Sequence, residues 1–169
     1  NGSADAYFRK NWRKAKEAGM ICGAYHFFLA NRDGTVQARN FISTVKLESG
    51  DLPPVLDVEQ TNGVSKTLLQ QRVKAFLYAA ELAYGIKPII YTNGNGYSNF
   101  IEDDFDHHTL WLSATNTWRP AMMDCTFWQF NMDADLMAIT HRADLNVFRG
   151  SREEWEGYLA KHKPYVINM

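Results

Sequence analysis

The sequence predicts an α/β fold in which a parallel sheet is covered by helices. Two observations carry this: the first half runs helix, strand, helix, strand, helix, strand, and its strands are apolar on both faces, as in a buried parallel sheet. A third observation separates the architectures. Later strands follow one another with little helical pattern between them, so a (β/α) barrel absorbs the second half more easily than a doubly wound sheet.

Taken in order, residues 4–18 carry Ala4, Tyr7, Phe8, Trp12, Ala15 and Ala18 at helical spacing, with Arg9, Lys10, Arg13, Lys14 and Lys16 between them. Gly19 is a stop signal. Residues 20–28 form a continuous apolar run of strand length, and Asn31-Arg32-Asp33-Gly34 reads as a turn. Residues 36–45 return to helical period, with Ala38, Phe41, Ile42 and Val45 on one side. A second apolar run, 52–59, ends in Asp57 and Glu59. The clearest helix is 65–84, in which Leu68, Leu69, Val73, Phe76, Leu77, Ala80 and Ala83 repeat at the right period before Gly85. Residues 87–92, 110–114 and 125–130 are expected strands. Another lies within 142–148, and a last helix spans 152–161. That makes about six strands, where a closed parallel barrel has eight. No repeat, low-complexity segment or linker divides the chain.

Composition narrows the classes. The 169 residues are 46% hydrophobic and 22% charged, ordinary values for a folded domain. A net charge of -1 with intermixed signs leaves no basic stripe for nucleic acid. No apolar run is long enough to span a bilayer, and Asn1-Gly2-Ser3-Ala4-Asp5 is not a signal-peptide opening. Aromatic residues reach 14%, which suits either a core or a cleft that stacks on sugar faces. Cys22 and Cys125 each lie in an apolar run and read as two buried free thiols rather than a bridge or metal pair.

Candidate chemistry gathers at the carboxyl ends of the strands, where parallel α/β folds place their sites. Asp57 and Glu59 are two residues apart, so on a strand they share one face, and two nearby carboxylates resist ionising together. Alone, an Asp-x-Glu is more often half of ordinary ion pairs. Here Tyr25-His26, Tyr91-Thr92-Asn93, 111–114, Trp128-Gln129 and Asp144-Leu145-Asn146 end the other strands. Each has a structural alternative: His26 as a satisfied core histidine, Trp111 and Trp128 as core, Asp144 as a turn acid or cap. Together they form a constellation. Asn93-Gly94-Asn95-Gly96 lacks phosphate-loop spacing, and the adjacent His107 and His108 project apart, against a metal site. There is no Gly-x-Ser-x-Gly elbow, and neither cysteine has an activating context. Hydrolysis by paired carboxylates is the reaction class that survives.

Six blocks then carry a resemblance: Gly23-Ala24-Tyr25-His26-Phe27, residues 52–59 with Asp-Val-Glu, Pro88-Ile89-Ile90-Tyr91-Thr92, Trp111-Leu112-Ser113-Ala114, Phe127-Trp128-Gln129 and Ala143-Asp144-Leu145-Asn146-Val147-Phe148. In that order they resemble the family 25 glycoside hydrolases, the Chalaropsis-type lysozymes that cut bacterial peptidoglycan. The resemblance implies an irregular TIM-like barrel and a single lysozyme-like catalytic domain over residues 1–169. It implies a muramidase without cofactor or metal, acting outside the cell or on its envelope. Glu59 matches the general acid, Asp57 the partner that orients the acetamido group or steadies charge at the sugar carbon, and Asp144 the late site aspartate. Tyr25, His26, Tyr91, Trp111, Trp128 and Asn146 match substrate-binding positions. On that division Glu59 should be the less solvated acid, with a raised pKa, while Asp57 stays ionised.

Two alternatives remain open, an inactive glycan-binding module and a chitinase-like glycosidase; so does the choice between retention and inversion. The sequence also departs from the family, whose opening strand carries Gly-Ile-Asp-Val-Ser and whose second ends near Lys-Ala-Thr-Glu-Gly. Neither motif occurs here, so the chain resembles a member without its first two strands. An intact member is expected to be a monomer; a sheet edge left open is able to pair with another copy.

Overall fold

The computed structural model describes residues 3–115, 124–137 and 141–165. The elements are α1 (Phe8–Glu17), β1 (Tyr25–Phe27), α2 (Gly34–Thr44), β2 (Val55–Asp57), α3 (Lys66–Tyr84) and β3 (Ile89–Asn93). Then follow a single turn α4 (Gly94–Gly96) running into a π-helical turn (Tyr97–Ile101), β4 (Leu110–Ser113), β5 (Phe127–Ala134), β6 (Ala143–Phe148) and α5 (Arg152–Lys161). The six strands form one sheet in chain order. β1 to β5 run parallel, and β6 pairs antiparallel with β5 through two register shifts. The predicted α/β class is correct, and the sheet is a curled half-barrel rather than a closed ring.

Local chemistry explains the helix ends. Ser65 accepts a hydrogen bond from Leu68 N and starts α3, and Gly85 ends it at φ +64°, a left-handed conformation that costs glycine little. Ser151 and Glu154 form a reciprocal capping box on α5. Asp33, predicted as part of a turn, instead caps α2 by accepting from Val36 N, so the helix begins at Gly34. A side chain at Gly34 would run into the backbone carbonyl of Arg72, so glycine lets α2 lie close against α3.

The strands are shorter than their apolar runs. Pro53 and Pro54 offer no N–H to a neighbour, and the ladder of β2 begins only at Val55. Extended pairing nonetheless continues past each end, through Leu52 N to Cys22 O at 2.8 Å and Val58 N to Tyr91 O at 2.8 Å.

Strand alternation divides the interior in two. Leu56, Val58 and Ile90 face α2 and α3, where Phe41, Val73, Phe76 and Leu77 complete the main core. Val55, Ile89 and Phe127 face the other, concave side. There α5 lays Trp155 and Tyr158 across Phe127 and Phe148. The concave face therefore has an aromatic floor, with polar residues above it. Cys22 and Cys125 are free and buried, as expected. No helix among the described residues is long and apolar enough to cross a membrane.

Candidate active site

The polar side chains above that floor line a cleft of about 320 Å³, with Tyr25, Asp57, Tyr91, Trp111, Asp144 and Asn146 on its walls. Five strands supply them: Tyr25 comes from β1, Asp57 from β2, Tyr91 from β3, Trp111 from β4, and Asp144 and Asn146 from β6. Register sets them side by side, since Asp57 pairs with Tyr91 and Tyr91 with Trp111. Trp111 stacks on Phe127 with ring centres 4.9 Å apart, and its Nε1 donates to Asn146 Oδ1 at 2.9 Å. The indole is thereby fixed as a wall rather than left to rotate.

The electrostatics centre on Asp57. Its residue is 8% exposed, and Oδ1 is a fully buried oxygen with no hydrogen-bond partner among the described residues. Burial first, and the negative charge of Glu59 second, push its carboxyl from 3.8 up to about 7. Tyr91 is pushed up to about 12, chiefly by burial, against a lowering hydrogen bond from Ser113, with the charges of Glu59, Asp57 and Asp144 adding to the rise. Tyr25 is raised by burial and by Asp57 and Asp144. Three carboxylates thus act on one wall of phenols, and the cleft is an acidic space lined by aromatic rings.

The glycosyl hydrolases family 25 profile matches residues 1–138. The chain belongs to glycosyl hydrolase family 25. The structure of a family 25 glycosyl hydrolase from Bacillus anthracis superposes with a TM-score of 0.83 at 33% identity, over 92% of this chain and 77% of that one. The uncharacterized protein YegX of Escherichia coli is 36% identical over 157 residues, 92% of this chain and 58% of YegX. The autolytic lysozyme of Clostridium acetobutylicum is 27% identical over 146 residues, 85% of this chain and 44% of the lysozyme. The chain spans about half the length of these curated relatives.

Within this family 25 cleft, six of the sequence-predicted positions come together: Tyr25, Asp57, Tyr91, Trp111, Asp144 and Asn146. Glu59 follows β2 half-buried, and its charge reaches both Asp57 and Tyr91. The expected division of the two acids is reversed: Asp57, not Glu59, is the less solvated, because Asp57 closes the strand while Glu59 lies beyond it.

Two predicted positions lie elsewhere. His26 sits between Tyr25 and Phe27 and so points to the helical side, stacked on Phe76 at 5.2 Å with Nε2 3.1 Å from Gln37 Oε1. Burial there lowers its pKa. Trp128 likewise points away from the cleft, packs against Leu110, Leu112 and Cys125, and donates Nε1 to Ala114 O at 3.0 Å. The residue that sequence reasoning passed over as a site member is Gln129. It is 4% exposed, lines the cleft, and accepts the Tyr91 hydroxyl at 2.6 Å. Strand alternation was the signal for it: where Phe127 faces inward, so does Gln129, and Trp128 cannot.

Proposed function

We propose that this family 25 domain hydrolyses the β-1,4 bond between N-acetylmuramic acid and N-acetylglucosamine in bacterial peptidoglycan. The observation that carries the reading is the buried Asp57 carboxyl, next to Glu59, on the wall of an acidic, aromatic cleft. A carboxyl on the cleft wall is an acceptor for a ligand N–H. The acetamido N–H of the substrate sugar is such a donor.

The carboxylate pair then acts as a unit. In the free cleft Asp57 holds a proton up to about pH 7. An acetamido N–H donated to the Asp57 carboxyl favours its ionised form, the Asp57 proton passing to solvent. Glu59, the more accessible acid, delivers a proton to the glycosidic oxygen, a contribution of about 10²–10⁴ in rate for general acid catalysis. Asp57, freed of its proton, orients the acetamido group and steadies the positive charge at the sugar carbon. Asp144 adds a third negative charge across the cleft, while Tyr25, Tyr91 and Trp111 supply the faces against which a sugar ring packs.

The test is clearing of a peptidoglycan suspension together with release of reducing ends. Glu59→Gln abolishes both; a Glu59→Gln variant with full activity would sink the assignment. Binding of insoluble peptidoglycan by the unaltered protein without release of reducing ends would replace hydrolysis by glycan binding. Turnover of chitin oligomers but not of peptidoglycan would replace the substrate.

A further inference from the structure

The charges of α1 are placed against its own stability. Its sequence carries five cations, Arg9, Lys10, Arg13, Lys14 and Lys16, and one acid, Glu17, in a chain whose net charge is -1. Arg9 and Arg13 stand one turn apart, as do Lys10 and Lys14, so like charges repel along two adjoining rows. Arg9 and Lys10 also fall in the first turn, at the positive end of the helix dipole, where no acid and no side-chain cap offsets them. The other long helices follow the stabilising pattern: Asp33 caps α2, Ser65 caps α3, and α5 opens with a capping box and the acids Glu153 and Glu154.

This helix is nonetheless well anchored. Phe8 and Trp12 pack against the main core, and Lys16 is tied to the buried carboxylate of Asp51. Arg9, Lys10, Arg13 and Lys14 are all exposed. Arg13 pairs with Glu17, whereas Arg9, Lys10 and Lys14 have no carboxylate partner among the described residues. The core that holds α1 lies on the helical side of the sheet, so the cationic face points away from the cleft. Local rules broken on an anchored element mark a site where function is served before stability.

Shape and flanking residues indicate the partner. From Arg9 to Lys14 the face is only about 7.5 Å long, too short to follow a linear polyanion but able to set all four cations on a plane of negative charge. Tyr7 and Met20, at either end of the helix, are 64% and 62% exposed, and apolar side chains beside a cationic face suit a bilayer interface. We infer that the outward face of α1 is a docking surface for an anionic phospholipid bilayer, with Arg9, Lys10, Arg13 and Lys14 against the headgroup phosphates and the cleft left free. The contact is peripheral, and it does not depend on the glycan-hydrolase reading above.

The test is cosedimentation at low salt with vesicles of phosphatidylglycerol and phosphatidylcholine in equal parts, against vesicles of phosphatidylcholine alone. The protein partitions onto the anionic vesicles only, and added salt releases it. Lys10→Gln with Lys14→Gln keeps helix propensity and relieves repulsion, so this variant folds with an undiminished Tm. Its partition falls about fivefold for each cation removed, about twenty- to thirtyfold for the pair. Lys87→Gln with Lys163→Gln makes the same change in net charge at two exposed positions outside α1 and leaves the partition unchanged. Equal partition onto both vesicle types, no partition at all, an unchanged partition in the α1 variant, or an equal loss in the two double variants overturns the docking surface. Soluble polyphosphate that binds the parent as tightly as the vesicles do replaces the bilayer by a linear polyanion and overturns the lipid assignment.

Discussion

Replacing Asp57 by asparagine should stabilise the protein at alkaline pH while damaging its activity. The wild-type carboxyl is raised from 3.8 to about 7, so the folded protein binds this proton more tightly than the unfolded chain does. The sign follows: the residue imposes no charge penalty below about pH 4, and stability falls as pH rises toward 7, where the penalty becomes complete. Moving a carboxyl from 3.8 to about 7 corresponds to about 4 kcal/mol at 1.36 kcal/mol per pH unit. That is a ceiling, since water entering the cleft relaxes part of it.

Titrating groups remote from Asp57 are common to the two proteins and cancel in their difference. Denaturant unfolding at pH 4, 6 and 8 should show Asp57→Asn close to wild type at the acid end and more stable at the alkaline end. A gain of about 2 kcal/mol would raise Tm by about 4–8 °C in a domain of this size. Peptidoglycan clearing should fall steeply in the same variant, the usual trade of function against stability at a strained site. A stability difference that stays constant from pH 4 to pH 8 would refute the burial argument.

Other consequences are simpler to check. The Thr92 hydroxyl donates to Val58 O at 2.6 Å, and both residues are 0% exposed, so Thr92→Val should cost about 1–3 kcal/mol in urea unfolding. Because Val58 lies between Asp57 and Glu59, kcat should fall in that variant more than KM rises. Gly85→Ala forces a side chain onto a φ of +64° and against the Tyr165 ring, and Tm should drop by several degrees, about 1 kcal/mol or more. Burial holds the His26 pKa below 6.5, so stability should decline as pH falls below that value, and His26→Phe should flatten this acid limb in thermal melts.

The helices were legible because their signals are local. Ser65, Gly85 and the repeat of Leu69, Val73, Phe76 and Ala80 determine α3 within its own twenty residues, and the structure adds only what that face packs against. The turn from Gly94 to Ile101 was hidden, since two glycines argue against a helix; Asn93 Oδ1 overrides them by capping Gly96 N at 2.8 Å. The site was legible to the strand but not always to the face. Tyr91 and Trp111 follow from strand position, whereas His26 and Trp128 fail by one residue, because adjacent side chains on a strand point to opposite sides. The burial order of Asp57 and Glu59 depends on where β2 stops, which its neighbours in space decide.

The sheet's strand order has a kinetic meaning. Each strand pairs with the one before it in the chain, so no pairing waits for a distant segment to arrive. Loop closure is the entropic barrier to assembly, and here it is crossed in short steps, one connection at a time. The cleft wall follows the same order along the chain, Asp57, Tyr91, Trp111 and Asn146, and the acceptor that anchors the Trp111 indole comes from the antiparallel strand. A folding intermediate that lacks β6 would carry Asp57 and Glu59 but neither Asp144 nor the acceptor that fixes the Trp111 indole.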